Sequence, residues 1–541
     1  MKFNKSLVRA LAVLMVAAMC FGLVGCVSSY NSNPMVAKVG NVKLDLNQYL
    51  TLYNNTDTSS NIYYAYLQYG IIDREQYANY ILDELVNYGV QLDQVDVQNI
   101  TLDAEEEAKL QQDVEDQIKE YVKTNYLSSI DKDAVGTDED AQYSAALEIF
   151  KAELKKNGSN YDKYRASVEE SLRKSARLNK LRDITIKDVA VTNDDVKTYY
   201  SDNVKTDVTV SSFKTAWDNF IEMKSEAAPL FIPHPERAVE DDPETTDKDE
   251  TKEADPFAEI FSVMHVLLQF SKEADTSVTN LKEYGESDEE FTKKIEDFEK
   301  TIETLSSEEF LAKCADKDIC EDPGMQEPSY QYFGYMMQSS LLSSYYDGFG
   351  YAAMKLKYGE EWKSDGDKEN DKQAESIDKP SVPEYELTYF TLTDGAKVAK
   401  VLTKAGAHYL ILNTNDCYNL YDEDGYLMLP LYNGDELVMD GENIATAHGT
   451  TMTQAQLDAM NETLSHIKTA DAETTEESGE TSEDTEETED KTVTAKTVYE
   501  YYRETKLTAM QNEVYNDAFK QWKENTKIVT KNNILKAFYQ G

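Results

Sequence analysis

Apolar and polar positions interleave with a period of two at residues 36–44, where Val36, Val42 and Leu44 alternate with Lys38 and Lys43 about Gly40-Asn41. That pattern predicts a small hairpin. From Gln48 to about Lys205 the period lengthens to that of a helix, with Ile81, Leu82, Leu85 and Val86 on one stripe. Asp103 with Glu106, and Thr192 with Asp195, have the spacing of N-cap pairs that open later helices. Periodicity then stops at 240–255, "EDDPETTDKDETKEAD", which holds nine acids and two lysines. Such a stretch buries nothing and is predicted to be a linker. The polar runs 363–381 and 471–490 read the same way, the second with eleven acids and no base.

Between the first and third runs, "EIFSVMHVLLQF" predicts a strand. Ser287 with Glu290 is expected to cap a helix carrying Phe291, Ile295, Phe298 and Ile302, and Ser306 with Glu309 to cap "EEFLAKCA". A Tyr/Met-rich stretch, a helix over "DGFGYAAMKL" and a strand at 408–412 follow. Helices on one side of a small antiparallel sheet make this block α+β. Tyr418–Met439 reads as hairpins turning at Asp424-Gly425 and Asn433-Gly434. "LYDEDG" is no calcium loop, because Leu420 and Leu431 would stand at its first and twelfth ligand positions. Val498, Tyr502, Leu507, Met510, Val514, Ala518 and Trp522 form a terminal stripe. Its apolar face is expected to pack on the N-terminal helices, within residues 36–210.

Charge and composition narrow the function. Fifty-four basic against 102 acidic side chains give a formal net charge of −48, a field that repels phosphate backbones and argues against nucleic acid as a partner. Tyrosine, at 37 copies against three tryptophans, suits grooves that receive peptides. Lys2, Lys5 and Arg9 precede the apolar stretch Ala10–Leu23, whose length is that of a signal peptide rather than a membrane span. It ends in Leu23-Val24-Gly25-Cys26, which resembles the lipobox of bacterial lipoproteins. That resemblance implies cleavage after residue 25, lipid on Cys26, and a chain held at the extracytoplasmic face of the cell membrane. Cys314, Cys320 and Cys417 have neither a disulfide framework nor a zinc spacing, and read as packing residues or loosely placed thiols.

Four stretches of the middle block carry a further likeness: "VMHVLLQF", "SSEEFLAKCADKD", "GFGYAAMKLKYGE" and "TKAGAHYLIL". In that order they resemble the histidine strand, the "dFaeLAkkyS-x-D" helix, the "eFedaaFaLkpGe" segment and the "TxxGxHII" strand of parvulin-type peptidyl-prolyl isomerases. With "VAKVGNVKLDLNQY" near the N-terminus, the whole chain is similar to the PrsA and SurA group of extracytoplasmic foldases. The resemblance implies a helical chaperone domain (26–235) completed by the C-terminal helix (495–541). A parvulin-like α+β domain (258–416) would be inserted between them, followed by connecting hairpins (417–470).

By motif, His265 and His408 are the implied histidine pair. Asp318 falls at the catalytic Asp or Cys position, although Cys320 or Asp322 can also be aligned there. Phe349 falls on the aromatic wall of the proline pocket, Thr403 on the threonine before the second histidine, and Tyr345 where the family has a pocket methionine. "EDPGMQEPSYQYFGYMM" replaces the family's glycine-rich stretch. The implied activity is prolyl cis-trans isomerisation with chaperoning of unfolded or newly exported, proline-containing polypeptides. Rotation about an amide cleaves no bond, so neither metal nor cofactor is expected. A holdase with an inactive domain of the same fold is the alternative.

Overall fold

The computed structural model describes residues 33–55, 62–131, 135–205, 208–225, 227–233, 257, 259–274, 278, 280–345, 348–362, 385–415, 417–468 and 492–539. The lipobox at Cys26 and the three acidic runs lie outside the described residues. The chain is mixed α+β with small antiparallel sheets and forms two compact units. One comprises residues up to Ala190 together with Leu507–Gly541, and the other runs from Val191 to Lys506.

In the first unit, strands β1 (Met35–Val39) and β2 (Val42–Asp45) form a hairpin. Gly40 takes φ +54° there, and a Cβ on it would lie 2.2 Å from the Asp93 carboxylate. Asp93, buried in the helix Arg74–Val97, accepts a 2.9 Å hydrogen bond from the Asn41 N–H of the turn. The other edge of β1 pairs with the C-terminal strand Ile528–Thr530, in the register Ala37↔Thr530 and Val39↔Ile528. Val36, Val39, Leu44, Ile81, Leu85 and Leu535 fill the core beneath this three-stranded sheet. The helices Ala104–Tyr126, Glu139–Lys156 and Tyr161–Ile186 bury a separate core around Val114, Ile118, Phe150 and Val168.

The second unit is built on a five-stranded antiparallel sheet. Its strands are β3 (Phe261–Gln269), β4 (Tyr335–Met337), β5 (Thr388–Thr391), β6 (Lys397–Leu402) and β7 (Gly406–Leu412). They lie in the order β4-β3-β7-β6-β5. Central strands β3 and β7 are covered on both faces, which is why both read as near-continuous apolar runs. Met264, Val266, Tyr409 and Ile411 face the helices Glu289–Ile302 and Ser307–Cys314. Val263, Val401 and Leu410 face the helix Phe349–Tyr358. Helices thus lie on both sides of the sheet rather than on one, because alternate positions of β3 and β7 are apolar on each face.

Three further expectations differ in position. The helix Glu289–Ile302 is capped by Asp288, not Ser287; the Asp288 carboxylate accepts from the N–H of Phe291 and from Ser271. The hairpin Tyr432–Leu437 turns at Gly434-Asp435, one residue later than expected. The helix Val210–Ile221 belongs to the second unit, where Phe213, Trp217, Phe220 and Ile221 join the core that holds Phe333 and Leu427. The second unit therefore extends on both sides of 258–416.

The long helix Ala495–Asn525 also divides. Val498, Tyr499 and Tyr502 are buried in the second unit, with the Tyr499 hydroxyl 2.8 Å from Asn193 Oδ1. In the first unit, the Tyr515 hydroxyl donates to Gln91 at 2.9 Å, and Trp522 lies against the core beside Val95 and Leu181. Both halves thus meet residues within 36–210, the early turns on the helix Asn193–Asn203 of the second unit and the later turns on the helices of the first.

Candidate functional site

On β3 and β7 the antiparallel register sets Leu267 opposite His408 and His265 opposite Leu410. Paired residues share a face and so do residues two apart along a strand, so His265 and His408 project from one face as diagonal neighbours. Their Nδ1 atoms are 3.1 Å apart, and the rings lie nearly parallel with centroids 5.0 Å apart. Both side chains are buried.

The β6–β7 turn delivers the third member. Thr403 N donates to the Gly406 carbonyl at 2.8 Å, closing a tight turn in which Gly406 takes φ +151°. A Cβ on Gly406 would lie 2.1 Å from the Leu268 carbonyl oxygen, so only glycine lets β7 approach β3 there. The buried Thr403 Oγ1 accepts from Ala405 N at 3.2 Å and lies 2.9 Å from His408 Nε2.

At the other end, His265 Nε2 is 2.7 Å from Asp322 Oδ2. The same oxygen accepts from the Tyr335 hydroxyl at 2.7 Å, and Oδ1 from Gly324 N at 3.2 Å. With both rings neutral, these contacts assign the protons. The carboxylate can only accept, so His265 carries its proton on Nε2 and presents a bare Nδ1. His408 Nδ1–H then donates to that atom, and the Thr403 hydroxyl donates to His408 Nε2. Burial would raise the Asp322 carboxyl, but the hydrogen bond from His265 and the charge that ring carries once protonated, with Tyr335 and Gly324, bring it down to about 2. Burial, then the neighbouring His265, hold the His408 imidazole well below its ordinary 6.5. Burial and the Asp322 charge raise the Tyr335 phenol.

Phe349, the first residue of its helix, stands edge-on to both imidazoles, with centroids 5.0 Å from His265 and 5.2 Å from His408. Tyr345 stacks on Phe349 at 5.6 Å, and its hydroxyl donates to the Met336 carbonyl. Lys214, from the helix Val210–Ile221, lies over the Tyr345 ring at 5.3 Å.

His265, His408, Thr403, Phe349 and Tyr345 thus come together, and Asp318 does not join them. Asp318 is exposed and its backbone N–H bonds to Asp316 Oδ1. After the helix Ser307–Cys314 the chain hydrogen-bonds to β3 at Cys320 and Glu321, whose N–H donates to Leu267 O, so the carboxylate that reaches His265 is Asp322. Tyr335 and Gly324 had no sequence signal beyond lying in the stretch that replaces the glycine-rich motif. Of the other described histidines, His448 stacks on Tyr426 and His466 on Tyr332.

The order Thr403–His408–His265–Asp322 resembles a relay that activates a nucleophile. Thr403 is only 1% exposed, however, so no carbonyl can reach its hydroxyl in this arrangement. Among the described residues no group of three or more His, Cys, Asp or Glu side chains could hold a metal ion. Asp322, at 17% exposed, is the most open member of the relay. What the cluster offers is a rigid polar floor, a fixed negative charge at its rim and an aromatic wall. Compared with known proteins, the chain matches no protein-family model and no curated sequence.

Proposed function

We propose that the second unit carries a parvulin-type peptidyl-prolyl isomerase site. The whole chain would be a lipid-anchored extracytoplasmic foldase of the PrsA and SurA kind, acting on unfolded or newly exported polypeptides. One observation carries this reading: two histidines 143 positions apart meet Nδ1 to Nδ1 beside the aromatic ring of Phe349. A small antiparallel sheet with helices upon it is the architecture the resemblance implies, and the five-stranded sheet agrees with it.

The chemistry suits such a site. The amide barrier of roughly 18–20 kcal/mol arises from resonance that the twisted transition state has lost. An aromatic surface that grips the proline ring, with fixed dipoles at the rim, favours that less polar geometry over the planar amide. Phe349 supplies the surface, the histidine pair shapes the floor, and Asp322 sets the field.

The reading is tested by assaying proline-peptide isomerisation and suppression of client aggregation together. His408→Ala and Phe349→Ala are expected to reduce the first and leave the second largely intact. The holdase alternative draws on a separate observation: Phe349 is only 4% exposed beneath Tyr345. Wild-type protein that suppresses aggregation without accelerating isomerisation would decide for it. For the anchor, Cys26→Ser is expected to abolish lipid incorporation; continued labelling of that variant would remove the lipoprotein reading.

A further inference from the structure

We propose that Tyr335 is a positioning residue of this site: its hydroxyl holds the Asp322 carboxylate toward His265 and thereby fixes the tautomers of the histidine pair. Tyr335 opens the edge strand β4, opposite Val263 of β3, and so projects from the same face as His265. Its hydroxyl and His265 Nε2 are each 2.7 Å from Asp322 Oδ2, the two lone pairs of one oxygen each taking a donor. With Gly324 N on Oδ1, the carboxylate is held from both oxygens.

A second position independently depends on this bond. A Cβ on Gly324 would lie 2.0 Å from the Tyr335 hydroxyl oxygen, so only glycine at 324 lets the phenol reach the carboxylate. The phenol ring is itself held. It stacks on Tyr330 at 5.1 Å, and the Tyr330 hydroxyl donates to Glu222 at 2.6 Å from the end of the helix Val210–Ile221. It stands edge-on to His265 at 5.4 Å and to Phe349 at 6.1 Å.

The titratable groups around Asp322 are His265 from β3, His408 from β7, Tyr335 from β4, and Cys320 and Glu321 on its own segment. Tyr345 faces the outer side of Tyr335, and Asp218 and Glu222 face Tyr330. Among them, His265 and Tyr335 are the side chains that donate to the Asp322 carboxylate. Among the described residues, losing the phenol donor leaves the His265 Nε2–H as the remaining side-chain hydrogen bond that opposes protonation of Asp322. Once Asp322 takes a proton, the charge that anchors the His265 Nε2–H is gone.

The inference rests on the isomerase reading only for what the histidine pair does to substrate. The test uses the full mature chain with ¹⁵N-labelled histidine, following ring nitrogen shifts against pH. In wild type, His265 should show Nε2–H and His408 Nδ1–H wherever both rings are neutral. Tyr335→Phe should move the acid step reported by His265 upward by about 1 pH unit, since a hydrogen bond to a charged group is being removed. Gly324→Ala should do the same with Tyr335 still present, and Tyr330→Phe should leave the step in place. An acid step and tautomers unmoved in both Tyr335→Phe and Gly324→Ala would overturn the proposal, whatever happens to thermal stability. If wild type accelerates no isomerisation while the titration moves as described, the isomerase reading fails and the positioning role stands.

Discussion

Two polar clusters in this chain are built from similar numbers of hydrogen bonds and should have opposite weight. In the first unit, Arg165 and Arg173 bridge Glu107, Glu115 and Glu169 across neighbouring helices, with side chains roughly a quarter to a half exposed. In the second, Thr403, His408, His265 and Asp322 form a chain whose two histidines are each 3% exposed. Water can replace any partner lost from the first cluster, so exposed ion pairs contribute about 0–1 kcal/mol each. The two histidines of the second are buried, so an orphaned donor there carries its full desolvation penalty. The difference between the two clusters is burial, not the number of bonds.

The largest expected effect separates the units themselves. Deleting 526–541 removes the strand paired with β1 and the buried Leu535, but no described residue of the second unit. Calorimetry should show the first unit's transition lost or greatly lowered and the second unit's retained. Two transitions falling together would show that the units do not melt separately.

Next in size is Asp322→Ala, which strands the donors of His265 and Tyr335 and should lower the second unit's stability by about 3 kcal/mol. Arg173→Ala in the first unit should change denaturant stability by under about 1 kcal/mol. Equal losses in chemical denaturation would erase the contrast between the clusters.

Acidification sharpens the same comparison. His408 is held neutral, below its ordinary 6.5, so the unfolded chain binds a proton there that the folded chain refuses. Stability from this group is present above pH 6.5 and declines as pH falls below it, by at most about 1.4 kcal/mol per pH unit. Asp322, ordinarily at 3.8 and here at about 2, contributes stability above 3.8 that is lost as pH falls toward 2. The second unit should begin to soften near pH 6, and His408→Gln should remove that early phase. An early phase that persists in His408→Gln would locate the proton elsewhere.

What the sequence made legible follows the physics of each element. The pairing of His265 and His408 was implied by the parvulin resemblance alone, since the register that brings them to one face is a long-range property of β3 and β7. Thr403 came with the same resemblance, as the threonine before the second histidine. Asp322 was only one of three readings, since Asp318, Cys320 and Asp322 share one loop whose path is set by where Glu321 N meets Leu267 O. Tyr335 was not legible at all, because a three-residue strand has no periodicity to detect. The helix Val210–Ile221 lies beyond the helical pattern read to about Lys205, and nothing local names the unit that buries its Phe213, Trp217 and Phe220.

The central claim is that the His265–His408 pair beside Phe349 forms a working prolyl isomerase site. It is tested most directly by NMR exchange spectroscopy of a short proline peptide with a catalytic amount of the mature chain. Uncatalysed exchange takes tens to hundreds of seconds. The expected result is cis-trans cross-peaks at mixing times near one second, lost with Phe349→Ala. Peptide resonances that broaden or shift on binding, while exchange stays at the uncatalysed rate, would contradict it.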